Sequence, residues 1–367
     1  MKTKFFLLPL AFLAFCVAAF AQTGSSKTPE TSTDIGKSAK LDSLSHQGLS
    51  GAYLLGNVTI PGGALPWDPI MVTVTCDGKT SYTTSTDPKG HFEIASVHSP
   101  GYAEGPADPH AKLAAQFAGC DVQAALAGFD SSVIKILNRN MLDDPDIGTI
   151  KLSREEGSVG VAVSATSASA PKDAMKSFDK ARTEWLDQKS DPAQRDLQKA
   201  VKSYPQFAEA WYQLGKIQEM SKSPEALSSF SKAVEADPKF ILPYAHLASL
   251  AAQAGKWDEV ASASAHELEL NPRGSPQTWY YNALGNYKLN KKDVAETSAL
   301  KALAMDPLHT AAPNTEQLLA VILAEKRDYA GALQHLRNCL TYLPSGPNAD
   351  TVKQQIAQLE KVVPGSR

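Results

Sequence analysis

Side chains able to exchange protons, hold metals or attack carbon are scattered along this sequence, and their spacings do not assemble into known chemistry. Asp143, Asp144 and Asp146 could offer oxygen ligands to calcium, but the run reads better as an acidic turn ahead of a strand. His98 and His110 share one long loop, and a metal needs more ligands than two at defined geometry. Asn57-Val58-Thr59 is a glycosylation sequon placed in an expected strand, of consequence only in a eukaryotic secretory route. Trp257 and Trp279 would suit a sugar platform, yet at helical spacing they read as packing aromatics. The chain holds no Gly-rich phosphate loop, no nucleophile elbow, no His-Glu-x-x-His and no paired carboxylates in an obvious helical setting. The expectation is a protein with no catalytic residue, no metal site and no cofactor. An enzyme would have to draw its residues together from separate elements.

Cysteine supplies the one covalent expectation. Lys2 and Lys4 precede an apolar run from Phe5 to Phe20, and Ala19-Phe20-Ala21 places small residues before Gln22. That is the layout of a cleaved signal peptide, residues 1–21. The apolar run is about 16 residues, short of the roughly 20 that a spanning helix needs. A lipoprotein would use Cys16, but bulky Phe15 stands where a small residue is expected. Cleavage leaves Cys76, Cys120 and Cys339 in an oxidising, periplasmic or secreted setting, with no later membrane-spanning segment. Cys76 and Cys120 are the candidates for a disulfide, and Cys339 reads as a small buried residue on a helix.

The chain has 367 residues, enough for two domains, and a net charge of −3 with Lys and Arg dispersed. A nucleic-acid binder would show a basic face, so that class is set aside. Residues 22–48 are rich in Ser, Thr, Lys and Gly without an apolar period, and read as a flexible tether. Residues 49–154 then give seven short β-prone runs: 53–60, 71–76, 80–85, 91–95, 120–126, 133–137 and 147–152. Asp77-Gly78 and Asp87-Pro88-Lys89-Gly90 are hairpin turns between them. Val72, Val74 and Cys76 share one strand face, as do Cys120, Val122, Ala124 and Leu126, so both cysteines sit on inward stripes. The fold expected here is an all-β antiparallel sandwich. The segment Thr84-Ser85-Thr86-Asp87-Pro88-Lys89-Gly90-His91-Phe92, with the later Ala127-Gly128-Phe129 turn, resembles the carboxypeptidase regulatory-like, transthyretin-like β-sandwich family. That resemblance implies an accessory or surface module.

Residues 155–172, rich in Ser, Ala, Gly and Val, read as a linker, after which the apolar period changes from two to about 3.6. Trp211, Leu214 and Gly215 are followed by Ala226, Phe230, Ala233 and Pro238. Tyr244, Leu247 and Ala248 lead to Val260 and Pro272, and Tyr281, Leu284 and Gly285 lead to Ala295, Ala299, Ala302 and Pro307. A fourth, weaker unit runs from Leu319 to Pro344, and a degenerate one from Phe178 to Pro205. The closing prolines recur every 33 to 37 residues or so. Val352, Ile356, Leu359 and Val363 make the stripe of a final capping helix. Residues 173–363 resemble the tetratricopeptide-repeat (TPR) family, which implies an all-α helical solenoid following the β domain.

In that family the concave face is lined by first-helix positions that do not pack between helices. On this chain they correspond to Tyr212, Lys216, Ser249, Asn282, Asn286 and Gln317, a polar set suited to an extended peptide backbone. The Lys and Asn set by which some members clamp a C-terminal carboxylate is not reproduced. The leading expectation is an exported, non-enzymatic scaffold that holds a protein or peptide in the groove. The alternative is a cell-envelope or polysaccharide-binding protein acting through the β-sandwich, with the repeats serving assembly. Partner identity and oligomeric state are not encoded in any motif.

Overall fold

A computed structural model describes residues 53–95, 117–136, 145–307, 309, 311–343 and 345–361. The signal peptide, the first tether, His98, His110, Asp143, Asp144, Pro344 and Val363 lie outside the described residues. The chain divides into two compact units between Leu242 and Pro243. The first therefore takes in four helices along with the strands.

Eight strands are found among the described residues: β1 Tyr53–Thr59, β2 Met71–Cys76, β3 Lys79–Ser85, β4 His91–Ala95, β5 Asp121–Ala125, β6 Phe129–Ser131, β7 Ile134–Lys135 and β8 Asp146–Arg154. They form two four-stranded sheets, in the orders β4-β1-β8-β6 and β3-β2-β5-β7. Strand alternation builds the core: Leu54, Val58, Val72, Val74, Val122 and Ile150 from both sheets join one buried cluster. Both expected turns form. Asp77 and Gly78 have φ of 50° and 74°, the double left-handed conformation of a two-residue hairpin turn. Asp87 Oδ1 accepts the N–H groups of Lys89 and His91, each at 2.8 Å, and closes the second turn. At Gly90 a Cβ would lie 2.3 Å from the Val58 carbonyl oxygen, so only glycine fits.

One pairing departs from the antiparallel expectation: β1 and β8 run parallel. Parallel neighbours need a long crossover. As first and last strands of the region, they have all the intervening strands for that connection. The three-residue β6, absent from the sequence reading, pairs with β8 directly after the Gly128 turn.

The expected disulfide is present. Cys76 and Cys120 are bonded, with Cα atoms 4.5 Å apart and 44 residues of separation, at the end of the antiparallel β2–β5 pair. Cys339 is free and buried.

Eleven helices follow among the described residues. In the first unit these are α1 Lys172–Leu186, α2 Ser190–Ser203, α3 Ala208–Met220 and α4 Ala226–Ala236. Then come α5 Leu242–Gln253, α6 Trp257–Leu270, α7 Pro276–Lys288, α8 Lys292–Met305, α9 Thr315–Glu325, α10 Tyr329–Tyr342 and α11 Pro347–Glu360. The pairs α1/α2, α3/α4, α5/α6, α7/α8 and α9/α10 match the five sequence units. Proline fixes where the second helix of a pair stops. Tyr204, Asp237, Asn271 and Asp306, each preceding a proline, have φ between −128° and −145° and ψ between 65° and 96°. The proline ring bars them from helical geometry, so four helices end in the same bend. Val352 and Leu359 are buried and Ile356 packs beside them on α11, which lies against α10.

Small residues set the helix spacing, but by two routes. A Cβ at Gly215 would meet the Phe230 ring at 2.8 Å, across its own hairpin. A Cβ at Gly285 would meet the Ala261 backbone N at 2.8 Å, on α6 of the preceding pair. A ring can shift and a helix backbone cannot. Gly285→Ala should therefore destabilise more than Gly215→Ala, by roughly 1–3 kcal/mol, in urea unfolding followed by circular dichroism. Cys76→Ala/Cys120→Ala, or reduction of the bond, should lower stability by about 4 kcal/mol, read as a drop in the urea midpoint of the sheet transition.

Candidate peptide-binding surface

Helix α3 is the best-defined surface in the first unit. Glu209, Tyr212, Gln213 and Lys216 stand at i, i+3, i+4 and i+7, so they form one face. The start of the helix is held by the linker. Thr166, in a 3-10 turn over Ala165–Ser169, accepts the Ala208 N–H at 3.1 Å and satisfies a helix-end donor. Ser167 Oγ donates to Glu209 Oε2 at 2.6 Å, and Ser164 Oγ to Asp237 Oδ2 at 2.6 Å. Val161 exchanges backbone hydrogen bonds with the 239–241 segment, donating to Lys239 O at 2.8 Å and accepting from Ile241 N at 3.0 Å. Residues 161–167 are thus pinned along the helices.

The α3 face is filled by the chain itself. The 60–70 connection between β1 and β2 lays Trp67 and Asp68 across it. Trp67 is 5% exposed, with its ring 4.6 Å from Phe178 and nearly perpendicular to it; Phe207 lies 4.7 Å beyond Phe178. The Trp67 backbone N–H donates to the Glu209 carboxylate. The Asp68 carboxylate pairs with Lys216 Nζ, accepts Gln213 Nε2 at 3.3 Å and accepts the Tyr212 hydroxyl. Burial, reinforced by the Asp68 charge, pushes the Tyr212 phenol well above its usual range. Burial likewise raises the Glu209 carboxyl, against the opposing pull of the Ser167 hydroxyl. Tyr212 is fixed by Phe240 and Phe230, at 5.3 and 5.9 Å between ring centroids.

Two of the six groove residues expected from sequence, Tyr212 and Lys216, are therefore together and engaged by one carboxylate. The other four lie in the second unit, in three separate settings. Ser249 is half-buried and accepts the Tyr281 hydroxyl at 3.1 Å. Asn282 and Asn286 are brought together in a buried network. Asn282 Oδ1 accepts Ser298 Oγ at 2.8 Å and Asn286 Nδ2 at 3.2 Å, while Asn282 Nδ2 donates to Ser264 Oγ at 3.3 Å. These amides are engaged between helices. Gln317 is half-buried and donates to Gln355 Oε1 at 3.1 Å. Sequence reasoning missed Trp67, Asp68, Glu209 and Gln213. The i, i+3, i+4, i+7 stripe was a signal for the latter two, whereas nothing in Pro66-Trp67-Asp68-Pro69 marked a docking segment.

The second unit also holds a perturbed carboxyl. Glu267 on α6 is buried and accepts the Thr278 hydroxyl at 2.6 Å. Its other oxygen, and Asn271 Oδ1 one turn on, are buried without a partner. Burial raises its pKa from 4.5 to about 7, with Thr278 and the nearby His246 opposing. Among the described residues no three His, Cys, Asp or Glu side chains cluster as metal ligands, and no helix is long and apolar enough to cross a membrane.

The chain matches no protein-family model and no curated protein. It is similar to solved structures over its helical half. MamA is 19% identical, aligned over 47% of this chain and 93% of its own, with a TM-score of 0.42. YrrB, a TPR protein with an unusual peptide-binding site, is 19% identical over 50% of this chain and 92% of its own, at 0.44. A tetratricopeptide repeat protein from Parabacteroides merdae ATCC 43184 is 17% identical over 52% and 75%, at 0.43.

Glu267 makes the second unit pH-sensitive. Its folded pKa, about 7, lies above its ordinary 4.5, so the folded state binds the proton more tightly. Stability is then greatest below pH 4.5 and falls as pH rises through 7. Glu267→Gln should raise stability at pH 8.5 by roughly 1–3 kcal/mol and leave it unchanged at pH 4, checked by thermal melts at both values.

Proposed function

We propose that this chain is an exported, non-enzymatic scaffold that binds a protein or peptide partner on the first-helix faces of TPR-type helix pairs. The observation that carries this reading is the α3 face. It holds a short bent segment by three means at once: a carboxylate for the segment's backbone N–H, a converging donor set for its side chain, and an apolar slot for its aromatic ring. Those are the elements of peptide recognition, backbone bonds for affinity and a side-chain pocket for selectivity. The recurring prolines and small residues support the TPR pattern, and the leading apolar segment supports export. The two-sheet region, with its resemblance to regulatory-like sandwiches, serves as the accessory module.

Placing a photo-crosslinking residue at Ser249 or Gln317 samples the first-helix faces, while Gln334 on α10 and Ser81 on β3 sample other surfaces. In a native envelope fraction, one protein partner should crosslink from positions 249 and 317 and not from 334 or 81. Capture from 334 alone would place binding on the second helices and defeat this reading. Capture from 81 alone would move the binding role to the sheets.

A further inference from the structure

Resting on that reading, we infer that the α3 face selects a partner segment in which an aromatic residue is followed directly by an acidic one, and that Trp67–Asp68 is the intramolecular stand-in for it. Three donors of different chemistry converge on one carboxylate: the Lys216 ammonium, the Gln213 amide and the Tyr212 hydroxyl. An amide in that position would lose the charge attraction and present its own donors to donors, so the set discriminates for Asp over Asn. Glu209 accepts the backbone N–H of the preceding residue and so fixes the register between the acidic residue and its neighbour. That neighbour must be flat and apolar, because its slot is walled by Phe178 and lies within the cluster containing Ala174, Phe207 and Leu214.

The occupant is imperfect in a way that belongs to a replaceable ligand. Trp67 is almost wholly buried, yet its indole N–H has no hydrogen-bond partner. An orphaned donor of this kind weakens the contact, and a phenylalanine would fill the slot without that loss. The segment is also built to leave. It lies outside the strand ladders, between the end of β1 and the start of β2. Pro66 and Pro69 bracket its bend, restricting the backbone and supplying no N–H that the fold would have to satisfy on release. While docked, it competes at the millimolar effective concentration typical of a short tether. A partner segment meets a masked site until the arm swings out.

The test uses a fluorescent peptide of residues 64–70 and the full chain carrying Trp67→Ala/Asp68→Ala. That variant should bind the peptide at least tenfold more tightly than the unaltered chain, by fluorescence anisotropy. Adding Lys216→Ala should abolish the gain. The peptide carrying D68N should bind at least tenfold more weakly, and the one carrying W67F at least as well as the original. If the double variant loses its helical circular dichroism, Asp68→Asn in the full chain replaces it: weakening the arm's hold on the three donors should release the slot and still raise peptide binding above that of the unaltered chain. No gain in binding over the unaltered chain, or equal binding of the D68N peptide, overturns the inference. A partner crosslinked from positions 249 and 317 together with no peptide gain sinks the inference alone, whereas absence of both sinks the scaffold reading as well.

Discussion

A partly buried carboxylate needs donors from the protein in place of the water it has lost, and the first unit is organised around one such carboxylate. Asp68 has three donors from a single helix face, at Tyr212, Gln213 and Lys216. None of the three would stay in place unaided. Tyr212 is wedged by Phe230 and Phe240, and Lys216 lies 5.5 Å from the centre of the Tyr212 ring, so the aromatic body orients the ammonium. The start of the helix is in turn held by Thr166 and Ser167 from the linker. Removing the linker's hydroxyls would loosen the register of α3 and with it the donor set. The contact therefore joins the β1–β2 connection, the linker and the α3 helix through one set of hydrogen bonds.

Sequence reading marked Tyr212 and Lys216 as groove positions but left out Gln213, Glu209 and the segment that meets them, and the reason is physical. Whether a polar stripe meets water or a ligand depends on what else reaches it, and the segment that does comes from about 145 residues away in sequence. Local reasoning sees periodicity, turns and proline positions because their causes lie within a few residues. It located the helix ends at Pro205, Pro238, Pro272 and Pro307 because an X-Pro bond constrains the residue before it regardless of context. It also found the Asp77-Gly78 hairpin and the Cys76–Cys120 pair, where turn chemistry and strand alternation suffice. It expected wholly antiparallel strands because parallel pairing of β1 with β8 is a property of the closed sheet and leaves no local mark. It left out β6, since three residues are too few to show alternation.

The same distinction separates Asn282 and Asn286 from Tyr212 and Lys216. The resemblance to tetratricopeptide repeats read from sequence would place all four on one kind of surface. Asn282, however, faces Ser264 and Ser298, small hydroxyl residues on the helices to either side, and Asn286 donates back to Asn282 on their own helix. A short polar side chain opposite serine can close its hydrogen bonds within the protein, and burial then favours that arrangement because an unpaired amide is costly. A long side chain such as Lys216 cannot bury its charge this way; it carries its head outward, where it meets Asp68 with both groups still partly exposed. Side-chain length and the size of the residues opposite thus decide which of these positions close their hydrogen bonds between helices and which meet a segment from elsewhere in the chain.

Glycine follows a parallel rule. At Gly285 the close neighbour is helix backbone, so the missing side chain sets the distance between successive helix pairs. At Gly215 the neighbour is the ring of Phe230, which also supports Tyr212, so backbone spacing and donor placement are linked through a single aromatic side chain. A repeat whose glycine meets backbone can be read as scaffold. A repeat whose glycine seats an aromatic ring under a donor has helix spacing and donor placement tied together, and α3 is the helix in which that occurs.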